Sequence, residues 1–176
     1  MTPPERNREL FTIGYGAREI DEYLALLRKY SIEYLVDSRS QPHSRYKREF
    51  NREVLARVVE AAGIRYLFMG DAIGGRPSDE TCYPSGRIEG RPDYAIVQTR
   101  PWFIAGIERL ERGLEQGHRI AVMCAEQRPE VCHRTHLISD ALAKRGVRVR
   151  HIDETGQLQS HQAIVMRAVG DQPTLF

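Results

Sequence analysis

Short runs rich in β-branched and aromatic residues alternate along this chain with segments whose apolar residues recur every three or four positions. That alternation predicts an α/β domain on a largely parallel sheet. The strand-like runs are 10–13, 33–36, 65–68, 119–123 and 147–152. Between them, Ile20, Tyr23, Leu24 and Leu27 keep helical spacing, as do Val54, Leu55, Val58 and Ala62, with Asn51 as N-cap and Gly63 as stop. Pro101 opens a helix through Ile104, Ile107, Leu110 and Leu114, and a last one runs over 129–145 before Gly146. The expected fold is a single-domain, three-layer α/β fold, with a mostly parallel sheet of about five strands and helices on both faces. Residues 1–9 read as an N-terminal extension, 10–155 as the domain and 156–176 as a polar C-terminal segment. Residues 70–100, punctuated by Gly74-Gly75, Pro77, Pro84, Gly86, Gly90 and Pro92, read as a long loop, functional or disordered, in which Gly74-Gly75 is a hinge candidate should the segment close over the pocket.

At 176 residues there is room for one ordinary core. No apolar run is long enough to span a bilayer, so no membrane partner is expected. Met1-Thr2-Pro3-Pro4 lacks the apolar core of a secretory signal. Three cysteines are too few and odd in number for a disulfide framework, so a cytoplasmic, reducing setting is expected. Lys29, Lys47 and Lys144 are the only lysines among 26 basic residues. Arginine recognises phosphate and carboxylate in bidentate fashion, although a GC-rich genome produces the same bias.

In an open α/β sheet, ligands bind beyond the C-terminal ends of the strands. The residues there are Gly14-Tyr15-Gly16, Asp37-Ser38-Arg39, Gly70-Asp71 with Gly74-Gly75-Arg76, Cys124-Ala125-Glu126, and His151 with Asp153. The densest cluster runs over 124–134. Four residues before Leu137 and Ile138 on the buried stripe lie His133 and Arg134, which thus continue the inward face of the helix. A buried Arg134 must face a carboxylate or a ligand. The helix N-terminus favours anions and lowers the pKa of a nearby thiol, Cys124 or Cys132. Three alternatives stand beside a nucleophile. Cys124 ends an apolar strand and suits plain burial; Cys124 and Cys132 suit a redox pair; and with His133 or His136 they suit zinc. The phosphatase spacing of Cys and Arg fails, because residue 130 is Glu. A second cluster, 37–51, carries Arg39, Arg45, Lys47 and Arg48 beside Tyr46 and Phe50, suiting phosphate or a stacked base, or else a solvated basic loop.

Thr12-Ile13-Gly14-Tyr15-Gly16, Leu35-Val36-Asp37-Ser38-Arg39-Ser40 with Pro42 and Ser44-Arg45, Gly74-Gly75-Arg76-Pro77, and Met123-Cys124-Ala125-Glu126 through Cys132-His133-Arg134 occur in this order. Together they resemble the family catalogued as domain of unknown function 488, over about residues 10–152. Many relatives carry His-Ser where this chain has Tyr15-Gly16, so an imidazole or hydroxyl role is not carried over to those positions. The resemblance implies a fold and a set of signature residues rather than a reaction.

These readings converge on a pocket for a phosphate-bearing nucleotide or nucleic acid. Tyr15, Asp37, Arg39, Arg45, Gly75, Arg76 and Arg134 bind the ligand, while Cys124 or Cys132 acts as nucleophile with Glu126 or His133 as acid/base partner. Hydrolysis or group transfer is expected rather than redox chemistry, since no Gly-x-Gly-x-x-Gly dinucleotide fingerprint follows the first strand, and no cofactor is expected. The rivals are a non-catalytic nucleotide-binding adaptor and a zinc-stabilised module. The terminal Gln172, Leu175 and Phe176 resemble the short peptide by which DNA repair proteins bind the bacterial sliding clamp, so the clamp is an expected partner. Docking of this end on its own domain is the alternative.

Overall fold

A computed structural model describes residues 8–170. Six strands form one sheet in the order β3-β2-β4-β1-β5-β6. They are β1 (Glu9–Gly14), β2 (Tyr34–Asp37), β3 (Arg65–Phe68), β4 (Ile120–Cys124), β5 (Arg148–Ile152) and β6 (Leu158–Ser160). The first five pair in parallel and β6 runs antiparallel to β5.

Period-two alternation sorts the strand residues onto two faces. Leu10, Val36, Ile120, Val122 and Val149 point into one core, beside Phe103, Ile107, Leu110 and Leu114 of α5 (Pro101–Glu115). The same core takes Leu137, Ile138 and Leu142 from the helix after β4, whose first part, Arg134–Ser139, is π-helical and whose second, α6 (Asp140–Lys144), is α-helical. Phe11, Ile13, Leu35, Ala121, Met123 and Ile152 point the other way, against Tyr23, Leu24 and Leu27 of α1 (Ile20–Lys29) and Leu55 and Val59 of α2 (Arg52–Ala61). The fold is therefore α/β, with helices on both faces of a mostly parallel sheet.

Three local expectations are corrected. Asn51 stands at the N-cap position of α2, but its side chain accepts from the Ser44 amide at 2.6 Å instead of capping. Residues 70–100 are not an open loop. They hold the short helices α3 (Gly70–Ile73) and α4 (Tyr94–Val97) and a turn at Glu80–Cys82, and bury Ile73, Cys82, Tyr83 and Val97 in the α5 core. The C-terminal segment supplies β6 and α7 (His161–Gly170), which seats Ile164 in the interior. Among the described residues, no helix is long and apolar enough to cross a membrane.

The connections position the site. After β1 and β2 the chain enters helices on one face, whereas after β4, which lies between them, it enters the helix on the other. Opposite departures from neighbouring strands open a crevice at their C-terminal ends. Cys124 is the last residue of β4.

Candidate active site at the end of the central strand

The β4 exit loop is held to the β1 exit loop by backbone bonds. The amides of Tyr15 and Gly16 donate to the carbonyls of Cys124 and Ala125 at 3.2 and 2.9 Å, and Gln127 Oε1 accepts from the Ala17 amide. Two glycines allow this closeness. A Cβ on Gly14 would overlap the Glu126 carbonyl, and Gly16, at φ +47°, would drive one into Gln127.

Arg134 anchors the same loop from beneath and is fully buried. Its Nη1 donates to the Glu126 carbonyl and, at 2.8 Å, to Cys124 Sγ, while Nη2 donates to the Gln127 carbonyl at 3.1 Å. Among the described residues no carboxylate pairs with it. In place of the carboxylate or ligand expected of a buried guanidinium, Arg134 meets a sulfur of the chain itself, whose ionised form its charge favours.

Cys132 Sγ stands 2.7 Å from Cys124 Sγ. Burial alone would raise the Cys124 thiol, but the hydrogen bond from Cys132 and the charge and hydrogen bond of Arg134 outweigh it and bring it down to about 7. Cys132 moves the opposite way, because burial and its hydrogen bond to Cys124 both hold its proton on. Arg134 is raised despite burial by the Cys124 sulfur.

His133 completes the group. Its Nε2 lies 3.2 Å from the Ser38 carbonyl, which can only accept, and 3.0 Å from Ser38 Oγ, whose own proton goes to the Met123 carbonyl. Nε2 therefore carries the hydrogen, leaving the Nδ1 lone pair 3.6 Å from Cys132 Sγ. Burial lowers the imidazole to about 4, so it is neutral near pH 7.

Tyr15, Arg39, Gly75, Arg76, Cys124, Glu126, Cys132 and His133 from the sequence reading line one cavity of about 380 Å³, together with Ser40, Gln41, His43, Ala125, Val131 and Tyr94, which α4 contributes. Arg39 is only 5% exposed; its Nε and Nη2 grip the Asp37 carboxylate at 2.9 and 2.6 Å, and its Nη1 has no partner. Burial works against that charge, but Asp37 more than offsets it. Asp37 and Arg134 do not line the cavity: the first holds Arg39, the second Cys124. Arg45 lies exposed outside it.

Among the described residues, no group of three or more His, Cys, Asp and Glu is arranged to hold a metal ion. The exposed His136 instead directs Nε2 to the Glu130 carbonyl at 2.6 Å. His151 and Asp153, after β5, serve the fold. His151 bonds Thr12 and His161, and Asp153 caps the β5–β6 turn through the Thr155 and Gln157 amides. Arg18, missed in the sequence, is buried with its guanidinium on the Gly14 and Asp153 carbonyls. Nothing local singles it out, because both partners are backbone. Gln172, Leu175 and Phe176 lie outside the described residues.

A family model, "Domain of unknown function DUF488", matches residues 19–142, a span that holds every cavity-lining residue except Tyr15. No curated protein and no solved structure matches the chain.

Proposed function

The chain belongs to the DUF488 family, whose description assigns no reaction, and on that premise we propose that its cavity is the active site of a cysteine-dependent hydrolase or transferase. The substrate is a phosphate-bearing nucleotide or nucleic acid. One observation carries the reading: a buried arginine without a carboxylate partner holds the Cys124 sulfur at 2.8 Å at the wall of an open cavity. A plain buried cysteine needs no such neighbour, whereas a nucleophile needs its thiolate stabilised at neutral pH.

In this reading Arg76 and Arg39, whose Nη1 is buried in the wall without a partner, bind the phosphate oxygens, and the Tyr15 and Tyr94 rings flank the rest of the ligand. The Cys124 thiolate attacks phosphorus, forming an S–P bond as the P–O bond to the leaving group breaks. The leaving oxygen keeps the electron pair. Water or an acceptor hydroxyl then attacks the phosphorus, its proton passing to His133 Nδ1 or the Glu126 carboxylate, and Cys124 departs as thiolate. The neutral imidazole can take up that proton through Nδ1, the nitrogen that faces Cys132 Sγ. The site therefore favours substrates whose leaving group is already a stable anion, such as a phosphoanhydride.

The test is turnover of a panel of nucleotides and oligonucleotides by the wild-type chain and by Cys124→Ser, with substrate binding followed separately. Expected is loss of turnover with binding retained, and loss of binding in Arg76→Ala. Unchanged turnover in Cys124→Ser would end the nucleophile assignment, and binding without turnover by the wild-type chain would make the protein the adaptor.

The partner reading of the terminus is proposed on sequence alone. A sliding clamp should be recovered by the full chain and lost on Leu175→Ala with Phe176→Ala; equal recovery disposes of it.

A further inference from the structure

We infer that Cys124 and Cys132 form a dithiol which a small hydroperoxide converts to a disulfide, making the cavity wall a site of reversible oxidative modification. The inference stands apart from phosphoryl transfer: it needs only the two sulfurs, their charge partners and access from the cavity.

The geometry supplies each requirement. The sulfurs stand 2.7 Å apart, both residues line the cavity, and the loop between them is already tied down by Arg134 through the Glu126 and Gln127 carbonyls. Bonding the pair closes a short loop whose ends already meet, so little chain must move. The two sulfurs also differ. Cys124 receives the Arg134 hydrogen bond, which favours its thiolate, whereas Cys132 lies 3.6 Å from His133 Nδ1 and its proton is held on by burial and by Cys124. A thiolate beside a resolving thiol is the arrangement that peroxide-sensitive pairs require. Cys82 is buried among the α5-face residues and does not line the cavity, so it serves as an internal control.

The chemistry balances in two steps. Cys124 thiolate attacks the terminal oxygen of the hydroperoxide. An S–O bond forms, the O–O bond breaks, sulfur loses two electrons, and the peroxide is reduced to an alkoxide or hydroxide that takes a proton from water. Cys132 then attacks the Cys124 sulfenic acid: the S–S bond forms, the S–O bond breaks, and hydroxide leaves with the Cys132 proton as water, carried by way of His133 Nδ1. A dithiol or small-thiol reductant restores the pair by exchange. Arg134 stabilises only the reduced form, since the disulfide offers it no charge, and this eases the return.

The test uses the full chain, hydrogen peroxide and mass mapping. Trypsin leaves both sulfurs in one peptide, because Arg128 precedes Pro129, whereas cleavage after Glu126 and Glu130 separates them unless they are bonded. Expected are loss of two hydrogens from the tryptic peptide, linked fragments after glutamyl cleavage, reversal by dithiothreitol, and Cys82 still a free thiol. In Cys132→Ser, a sulfenic acid on Cys124 should accumulate and be trapped by dimedone. Cys124 left as a thiol, or carried directly to sulfinic acid in the wild-type chain, overturns the inference whether or not the variant folds. Because no nucleotide enters the assay, its failure and that of the proposed reaction are separate results.

Discussion

Arg134 donates a hydrogen bond to Cys124 Sγ at 2.8 Å, and neither residue is more than 1% exposed. An arginine in that position cannot shed its proton and cannot reach water, so its charge is met by the sulfur and two loop carbonyls. The pair fixes the loop and charges the thiol in one interaction.

Alkylation of Cys124 by iodoacetamide should therefore rise about tenfold per pH unit at low pH and level off above about 7. In Arg134→Gln the midpoint should move up toward or beyond the free-thiol value of about 8.5. Mass mapping of the tryptic peptide that begins at Ile120, ending at Arg134 in the wild-type chain and at Lys144 in the variant, with fragmentation between Cys124 and Cys132, reads this against pH. A wild-type midpoint at or above the free value contradicts the charge assignment.

Gly14→Ala should disturb this site without replacing any side chain in it. The added methyl would overlap the Glu126 carbonyl and come 2.5 Å from Arg134 Nη1. Overpacking of this kind costs about 1–3 kcal/mol. Urea unfolding should show the loss, and the Cys124 alkylation midpoint should shift with it; a fully stable variant with an unmoved midpoint would contradict the close approach.

Arg39→Ala leaves the Asp37 carboxylate buried without its main partner. Breaking a buried pair from one side costs about 3–5 kcal/mol. Replacing both residues by apolar ones should recover part of the loss, although Tyr66 Oη also bonds Asp37 and would then be stranded. A double-mutant cycle by urea unfolding measures the coupling; additive losses would mean that the pair contributes nothing.

Stability should fall as pH drops from about 6.5 to about 4. Burial depresses the folded-state His133 to about 4, and His151 is depressed by burial in the same direction. In that window the unfolded chain binds protons that the folded chain refuses, so acid favours unfolding. His133→Gln should flatten the dependence. Thermal melts across the window check it, and an identical slope in the variant would mean that His133 is protonated in the folded state.

Much of the architecture was legible in the sequence because it follows from local periodicity. Leu10 and Phe11, or Val122 and Met123, are adjacent in the chain and separate onto opposite faces of the sheet, so reading the alternation gave strands, faces and strand ends. Strand ends in turn gave Tyr15, Arg39, Arg76 and the 124–134 cluster. The missed elements lack such a signal. β6 has three residues, and α7 leaves Val165, Met166 and Val169 exposed with Ile164 alone buried, so no apolar stripe marks it. In the same way, the turns of 70–100 bury isolated residues rather than a repeat.

What the sequence determined by itself is the alternation, and with it the sheet, its two faces and the set of polar groups delivered to one edge. Tertiary structure alone decided which of those groups meet. It turned Asp37 onto Arg39, gave Arg134 a cysteine sulfur instead of a carboxylate, brought two sulfurs into contact, and buried Arg18 on carbonyls from β1 and the turn after β5. The reason is physical: periodicity acts between neighbours along one element. Partners for buried charges are settled across elements, by which strands lie side by side and which atoms remain to replace lost water.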